Sequence, residues 1–161
     1  MTQCCGKIPS DEDVNFIVQT VLNTVDRYGD KWQGNLGEEV AIEYSTQVLD
    51  LREERFDKRN NGFDCVFRDG SGKLVIVESK ATIASGVSAL GYTQHGREGS
   101  VEWVEYKAQL MCNPTSSFYT EANAKIGQEI LEIGAENVSF LVIHTPPDAQ
   151  AVQDIDVTRL R

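Results

Sequence analysis

The sequence predicts a mixed α/β fold, an antiparallel meander plus a further strand in one sheet flanked by helices, and three observations carry that expectation. Helical apolar spacing stands on either side of a middle block whose period shifts from about four residues to two. Inside the block, Asn60-Asn61-Gly62 and Asp69-Gly70-Ser71-Gly72 punctuate short apolar segments as turns. After more helical pattern, Val138 to His144 forms another apolar segment, stopped by Pro146-Pro147.

In chain order, Ser10 before Asp11, Glu12 and Asp13 reads as an N-cap with an acidic first turn. Val14, Ile17, Val18, Val21, Leu22 and Val25 then recur at helical spacing up to Gly29. A second helix follows Gly34 and Gly37, from about Glu38 to Gln47, with Leu36, Val40, Tyr44 and Val48 along one face. Val48, Leu49 and Leu51 begin an extended segment, Phe63 to Arg68 makes a second and Lys73 to Ser79 a third. The last two are joined as a hairpin by Asp69-Gly-Ser-Gly. The polar stretch from Ala84 to Gly99 reads as a long loop, and loops of that length in a small domain usually have a task. Helices are expected from about Ser100 to Met111 and Ser117 to Ile133, then the strand Val138 to His144, with an optional last edge strand at Val152 to Val157.

A chain of 161 residues with 40% hydrophobic and 25% charged content is read as one domain over 1–161, with an N-terminal helix at about 11–29 and a core at about 34–145. No repeat or Pro/Ser-rich linker divides it. The longest apolar runs, such as Leu74 to Val77 and Phe140 to Ile143, fall far short of the roughly 20 residues of a membrane span. Met1 to Lys7 lacks the apolar core of a secretory signal, so the expected location is cytoplasmic, with export as an effector left to a specialised machine. The net charge of −10 is unusual for a protein that tracks a phosphate backbone. Most of the basic groups, however, lie in residues 51–110, where they balance the acidic ones, so contact with nucleic acid is expected there. The four cysteines form no CxxC pair and neither His95 nor His144 stands near one, which argues against a structural zinc site. Cys65, in an apolar stretch, reads as a small core residue.

The most informative segment runs from Asn61-Gly-Phe-Asp-Cys-Val-Phe through the hairpin to Leu74-Val-Ile-Val-Glu-Ser-Lys80. Strand alternation puts Glu78 and Lys80 on one face and Ser79 on the other. With the turn at 69–72, the cross-strand partner of Asp64 falls at about 77–79, so Asp64 and Glu78 are expected as neighbours. Two carboxylates plus the Ser79 backbone carbonyl are hard oxygen ligands suited to Mg²⁺ or Mn²⁺. Such an ion activates water and offsets charge on phosphorus, and Lys80 would orient that water or stabilise developing charge. The simpler alternative is an exposed cross-strand ion pair, worth little energetically. Its weakness is that Glu-Ser-Lys ends a continuous apolar run, where charges need partners or a metal.

Asp64, then Glu78-Ser79-Lys80 at the end of a hydrophobic strand, preceded by Gly37-Glu38-Glu39-Val40-Ala41 in a helix, resembles the PD-(D/E)xK, or restriction-endonuclease-like, nuclease superfamily. The Asn-Gly-Phe-Asp-x-Val-Phe and Ile-Val-Glu-Ser-Lys-Ala pieces are most similar to nuclease domains of bacterial polymorphic and contact-dependent toxins. Leu90-Gly91-Tyr92-Thr93 and Ser100-Val101-Glu102-Trp103-Val104 match further elements of that pattern, while Glu98 stands where the toxin pattern has Gln. The resemblance covers residues of about 34 to 104. It implies Asp64 and Glu78 as metal ligands, Lys80 as the catalytic lysine and Glu38 as a helix carboxylate completing the site. On a helical wheel Glu38, Glu39 and Glu43 all flank the apolar stripe, so the residues leave that choice open.

Tyr92, Gln94, His95 and Arg97 in the 84–99 loop offer donors and an aromatic platform for phosphates or a splayed base, or else belong to a plain surface loop. Trp103 and Tyr106 read as core, His144 as a structural histidine, and Arg52, Arg55, Lys58 and Arg59, diluted by Glu53, Glu54 and Asp57, as a solvated connection. The expectation is thus a metal-dependent nuclease acting on DNA or RNA, a toxin-like effector or defence enzyme whose partners are nucleic acid and an immunity or assembly protein. The alternative is a nuclease-like module that no longer cuts and binds a basic protein through its acidic surface.

Overall fold

The computed structural model describes residues 11–29, 31–54, 62–83 and 86–161. In chain order these form helices α1 (Asp11–Thr24) and α2 (Trp32–Gln47), then strands β1 (Arg52–Glu53), β2 (Cys65–Arg68) and β3 (Leu74–Lys80). A small hairpin of β4 (Tyr92–Thr93) and β5 (Gly96–Arg97) precedes helices α3 (Val101–Cys112) and α4 (Glu121–Ile133), followed by β6 (Ser139–His144) and β7 (Asp156–Arg159). The main sheet has the order β1-β2-β3-β6-β7. β1, β2 and β3 form the antiparallel meander, β6 runs parallel to β3, and β7 returns antiparallel to β6. A parallel pair needs a long crossover, and the hairpin with α3 and α4 supplies it.

Alternation along the strands sends apolar side chains to both faces of this sheet. Cys65, Phe67, Val75, Val77, Leu141 and Ile143 meet Val18, Leu22, Leu36, Val40 and Ala41 of α1 and α2. On the other face Val66, Leu74, Ile76, Phe140 and Val142 meet Trp103, Val104, Ala108, Met111, Ile126 and Ile130 of α3 and α4. Cys65 and Trp103 are buried, in agreement with their reading as core. Glu78 and Lys80 continue the even-numbered row of β3 and emerge on the α3 side.

The β2–β3 turn is built by Asp69. Its Oδ1 accepts the N–H groups of Ser71 and Lys73 and the Ser71 hydroxyl. Gly72 takes φ +82°, the left-handed region that glycine enters without strain. Just before the turn, Arg68 donates Nε–H to Glu54 at 2.9 Å and both terminal nitrogens to Glu129 at 2.8 and 2.7 Å. That bidentate pair ties α4 to the meander.

Several boundaries depart from the sequence expectation. α1 ends at Thr24 rather than reaching Gly29, which has φ +86°. α2 begins at Trp32, so Gly34 and Gly37 lie within the helix instead of before it. Packing explains Gly37, because a Cβ there would stand 2.7 Å from the Ser79 hydroxyl and 3.1 Å from the Ala81 methyl. Val48 caps α2 through its N–H to Tyr44, and the expected strand at 48–51 shrinks to Arg52–Glu53. α4 starts at Glu121 because the Thr120 side chain accepts the Asn123 N–H as an N-cap. The edge strand falls at Asp156–Arg159, since Val152–Asp154 makes a 3₁₀ turn. The Ala84–Gly99 loop contains the 3₁₀ turn Gly86–Ala89 and the β4–β5 hairpin. The Ser10 cap, the Asn60-Asn61 turn, Arg55, Asp57, Lys58 and Arg59 lie outside the described residues.

The α3–α4 contact turns on Gly127, where a Cβ would meet the Ala108 carbonyl oxygen at 2.7 Å and Cys112 Sγ at 3.0 Å. Backbone cannot yield as a flexible side chain can. Gly127→Ala gains about 1 kcal/mol of helix propensity but incurs roughly 1–3 kcal/mol of overpacking. The net is therefore a fall in the urea midpoint, measurable by circular dichroism; an unchanged or higher midpoint would show that the helices separate freely.

Candidate active site

The β2–β3 register pairs Cys65 with Val77, and extending it by one residue sets Asp64 opposite Glu78. Asp64 Oδ2 accepts the Ser79 N–H at 2.9 Å, which holds this carboxylate across the ladder end. Glu78 is only 6% exposed, and its Oε2 is buried with no hydrogen-bond partner among the described residues. Lys80 Nζ stands 3.8 Å from Glu78 Oε1 and donates to Glu98 Oε2 at 2.8 Å. The trio picked out by strand alternation is therefore assembled, with Glu98 as a fourth member.

Glu98 is delivered by the hairpin loop. Its Oε1 accepts the Gly91 N–H at 3.0 Å while its own N–H donates to the Gly91 carbonyl at 2.9 Å. A Cβ on residue 91 would fall 2.6 Å from that same Oε1, so glycine is needed for the latch to close. The carboxylates Asp64, Glu78 and Glu98, with Thr93, Trp103 and Lys107, line a cleft of about 270 Å³.

The electrostatics follow from burial and crowding. Burial pushes the Glu78 carboxyl well above its ordinary value, the nearby Asp64 charge adds to this, and Lys80 only partly offsets them. Burial works against the Lys80 ammonium, but the hydrogen bond to Glu98 and the charges of Glu78, Glu98 and Asp64 outweigh it and raise its pKa. Burial likewise opposes the Glu98 carboxylate, and its bond to Lys80 overcomes that and lowers its pKa. Lys80 is thereby kept as an ammonium, a group that stabilises negative charge rather than one that removes a proton.

A divalent ion fits this chemistry. A buried carboxylate oxygen lacking a partner is costly unless something cationic meets it, and Glu78 Oε2 is such an atom. Among the described residues no group of three or more His, Cys, Asp and Glu side chains is gathered to hold an ion. Mg²⁺ is commonly held by one or two carboxylates, with water and substrate phosphate completing its shell. Asp64 and Glu78 match that limited donor set. The Ser79 side chain packs toward Gly37 on the other face, so only the backbone of Ser79 is available on this side.

The remaining candidates separate. Glu38 is half-buried on α2, the helix covering the opposite face of the sheet, and it does not line the cleft. Tyr92, Gln94, His95 and Arg97 share the hairpin. Tyr92 is 82% exposed with the Arg97 guanidinium 5.0 Å above its ring. His95 stacks on Tyr106 at 3.5 Å between ring centres, and with Gln94 it lines a second hollow of about 290 Å³. Thr93 connects the hairpin to the first cleft. His144 is buried with Nε2 at 2.6 Å from the Thr82 carbonyl, so this nitrogen carries the proton. Its Nδ1 has no partner among the described residues, so the expected structural histidine is only half satisfied.

Sequence reasoning met Glu98 only as a departure from a pattern and did not single out Lys107. The signal for Lys107 was its spacing of four from Trp103, which places both on one side of α3. No family model, curated protein or solved structure matches the chain.

Because the folded pKa of Glu78 is raised, the folded chain binds this proton more tightly than the unfolded one. Stability is therefore expected to fall as pH rises from about 4.5, the ordinary value, toward the raised one. Glu78→Gln removes that titration. With a chelator present, its melting temperature should exceed that of the wild type by a margin that widens as pH rises above about 4.5. A constant margin would show that Glu78 ionises as easily in the fold as outside it.

Proposed function

We propose that the chain is a metal-dependent nuclease of restriction-endonuclease-like fold that hydrolyses phosphodiester bonds in DNA or RNA, in the role of a toxin-like effector or defence enzyme. The observation that carries this reading is the convergence of Asp64, Glu78 and Lys80 at the open end of β2 and β3, with a buried Glu78 oxygen that has no hydrogen-bond partner among the described residues. In this reading Asp64, Glu78 and the Ser79 carbonyl hold Mg²⁺ or Mn²⁺. Such an ion supplies Lewis-acid charge and lowers the pKa of bound water.

The chain's own groups do the rest. Asp64, tied to the Ser79 N–H, fixes the distance between the two strand ends. Lys80 holds the Glu78 carboxylate in place and contributes positive charge where charge builds on phosphorus. Glu98 keeps that ammonium protonated and aimed. Trp103 of α3 and Thr93 of the hairpin form part of the cleft lining. A second reading, a nuclease-like module that binds a basic protein without cutting, draws on the net charge of −10 and on Lys80 being committed to Glu98.

Two outcomes separate these readings. Oligonucleotide cleavage in Mg²⁺ or Mn²⁺, lost on chelation, should fall by roughly 100-fold or more in Glu78→Gln and in Lys80→Ala, with far-UV circular dichroism unchanged. Undiminished cutting by either variant would remove its residue from the chemistry. Ion uptake must also displace the proton that burial favours on Glu78. Titration calorimetry with Mn²⁺ in buffers of different ionisation enthalpy should therefore record proton release that grows as pH is lowered, and buffer-independent heats at every pH would contradict it.

A further inference from the structure

The cleft contains an ammonium to which the proposed reaction assigns no task. Lys107, one turn beyond Trp103 on α3, lines the cleft together with Asp64, Glu78 and Glu98. Lys80 is not among the lining residues; it is engaged with Glu98 at 2.8 Å and Glu78 at 3.8 Å. Two aromatic faces hold the Lys107 ammonium, the Trp103 ring centre at 5.4 Å and that of Phe118 at 4.9 Å. The half-buried stem and these rings fix a side chain that would otherwise sample many rotamers.

Charge defines what such a group is for. A phosphodiester is an anion, and this cleft presents it with three carboxylates. Binding needs a cation beyond any metal ion, and of the described residues that line the cleft Lys107 is the one that carries such a charge. Arg97 lies over Tyr92 on the hairpin and is not part of the cleft lining. Burial draws the Lys107 pKa down, and the Glu78 and Glu98 charges resist that. An arriving phosphate would act in the same direction as those charges and hold the proton on.

We propose that Lys107 is the substrate-binding ammonium of the cleft, donating to a phosphate oxygen of the nucleic acid, while Lys80 keeps its electrostatic role beside Glu78 and Glu98. The assignment rests on the cleft being the phosphodiester site. It divides between two lysines the binding and electrostatic work that the sequence pattern gives to one.

The test is binding of a short fluorescein-labelled oligonucleotide by anisotropy across a salt series, with Ca²⁺ replacing Mg²⁺ so that binding is read without turnover. Lys107→Met keeps the apolar stem against Trp103 and Phe118 and removes the charge. It should weaken binding about tenfold and reduce the slope of log affinity against log salt by about one phosphate contact. Lys107→Arg should retain the slope. Lys107→Gln, with circular dichroism and melting recorded for all three, guards against a folding defect in the Met variant. Wild-type affinity and slope in both neutral variants, or no binding by the wild type, would overturn the assignment. Parallel cleavage assays in Mg²⁺ and Mn²⁺ keep the two proposals apart. Lys107-dependent binding without any cutting defeats the hydrolytic reading alone, and cutting with Lys107-independent binding defeats this inference alone.

Discussion

The alignment of β2 against β3 is the constraint on which the rest of the structure depends. Pairing Cys65 with Val77 puts Asp64 beside Glu78, and a slip of one residue would turn Glu78 and Lys80 into the α1–α2 face. The alignment is secured from both ends. At one end Asp69 ties the turn and Arg68 anchors it to Glu54 and Glu129. At the other Asp64 grips the Ser79 N–H. Between them Val66, Phe67, Val75 and Ile76 are buried, so a slipped register would expose apolar surface worth roughly 1.5–3 kcal/mol for each large side chain.

That secure register lets the fold carry an unfavourable cluster. Glu78 is a buried carboxyl beside another carboxylate, and one of its oxygens has no partner among the described residues. An unsatisfied buried group of this kind costs about 1–3 kcal/mol, more when charged. The Lys80–Glu98 bond and the Gly91 latch offset part of that, and they do so from a loop outside the main sheet. The long connection between β3 and α3 thus reaches the strand end through the Lys80–Glu98 ion pair, and two hydrogen bonds within the connection, between Gly91 and Glu98, hold that glutamate in place. Stability given up locally in this way is common where a protein reserves groups for a ligand.

What was legible in the sequence is what depends on period and turn chemistry. Alternation placed Glu78 and Lys80 together, the Asp-Gly-Ser-Gly turn placed Asp64 opposite them, and the parallel strand after two helices was readable from its apolar run and Pro stop. Less legible was whatever depends on close approach in three dimensions. Gly34 and Gly37 look like punctuation in one dimension, yet both lie inside α2, and Gly37 is set by the Ser79 hydroxyl and Ala81 methyl that press on it. Glu38 follows that glycine on a helix covering the far face, where helical spacing says nothing of which side of the sheet is reached. Glu98 and Lys107 enter the cleft from a hairpin and a later helix, and no local pattern announces such a meeting. His95 and Gln94, grouped in sequence with Tyr92 and Arg97, line a hollow beside Tyr106 instead, because they form the turn between β4 and β5 rather than the strands themselves.

The central claim is that Asp64 and Glu78 share a divalent cation, and the anomalous signal of a crystal soaked in Mn²⁺ addresses it most directly. The account predicts an anomalous peak within coordination distance of a carboxylate oxygen of each residue, absent from crystals of Glu78→Gln. A peak elsewhere on the protein, or two carboxylates left without one at saturating Mn²⁺, would contradict it.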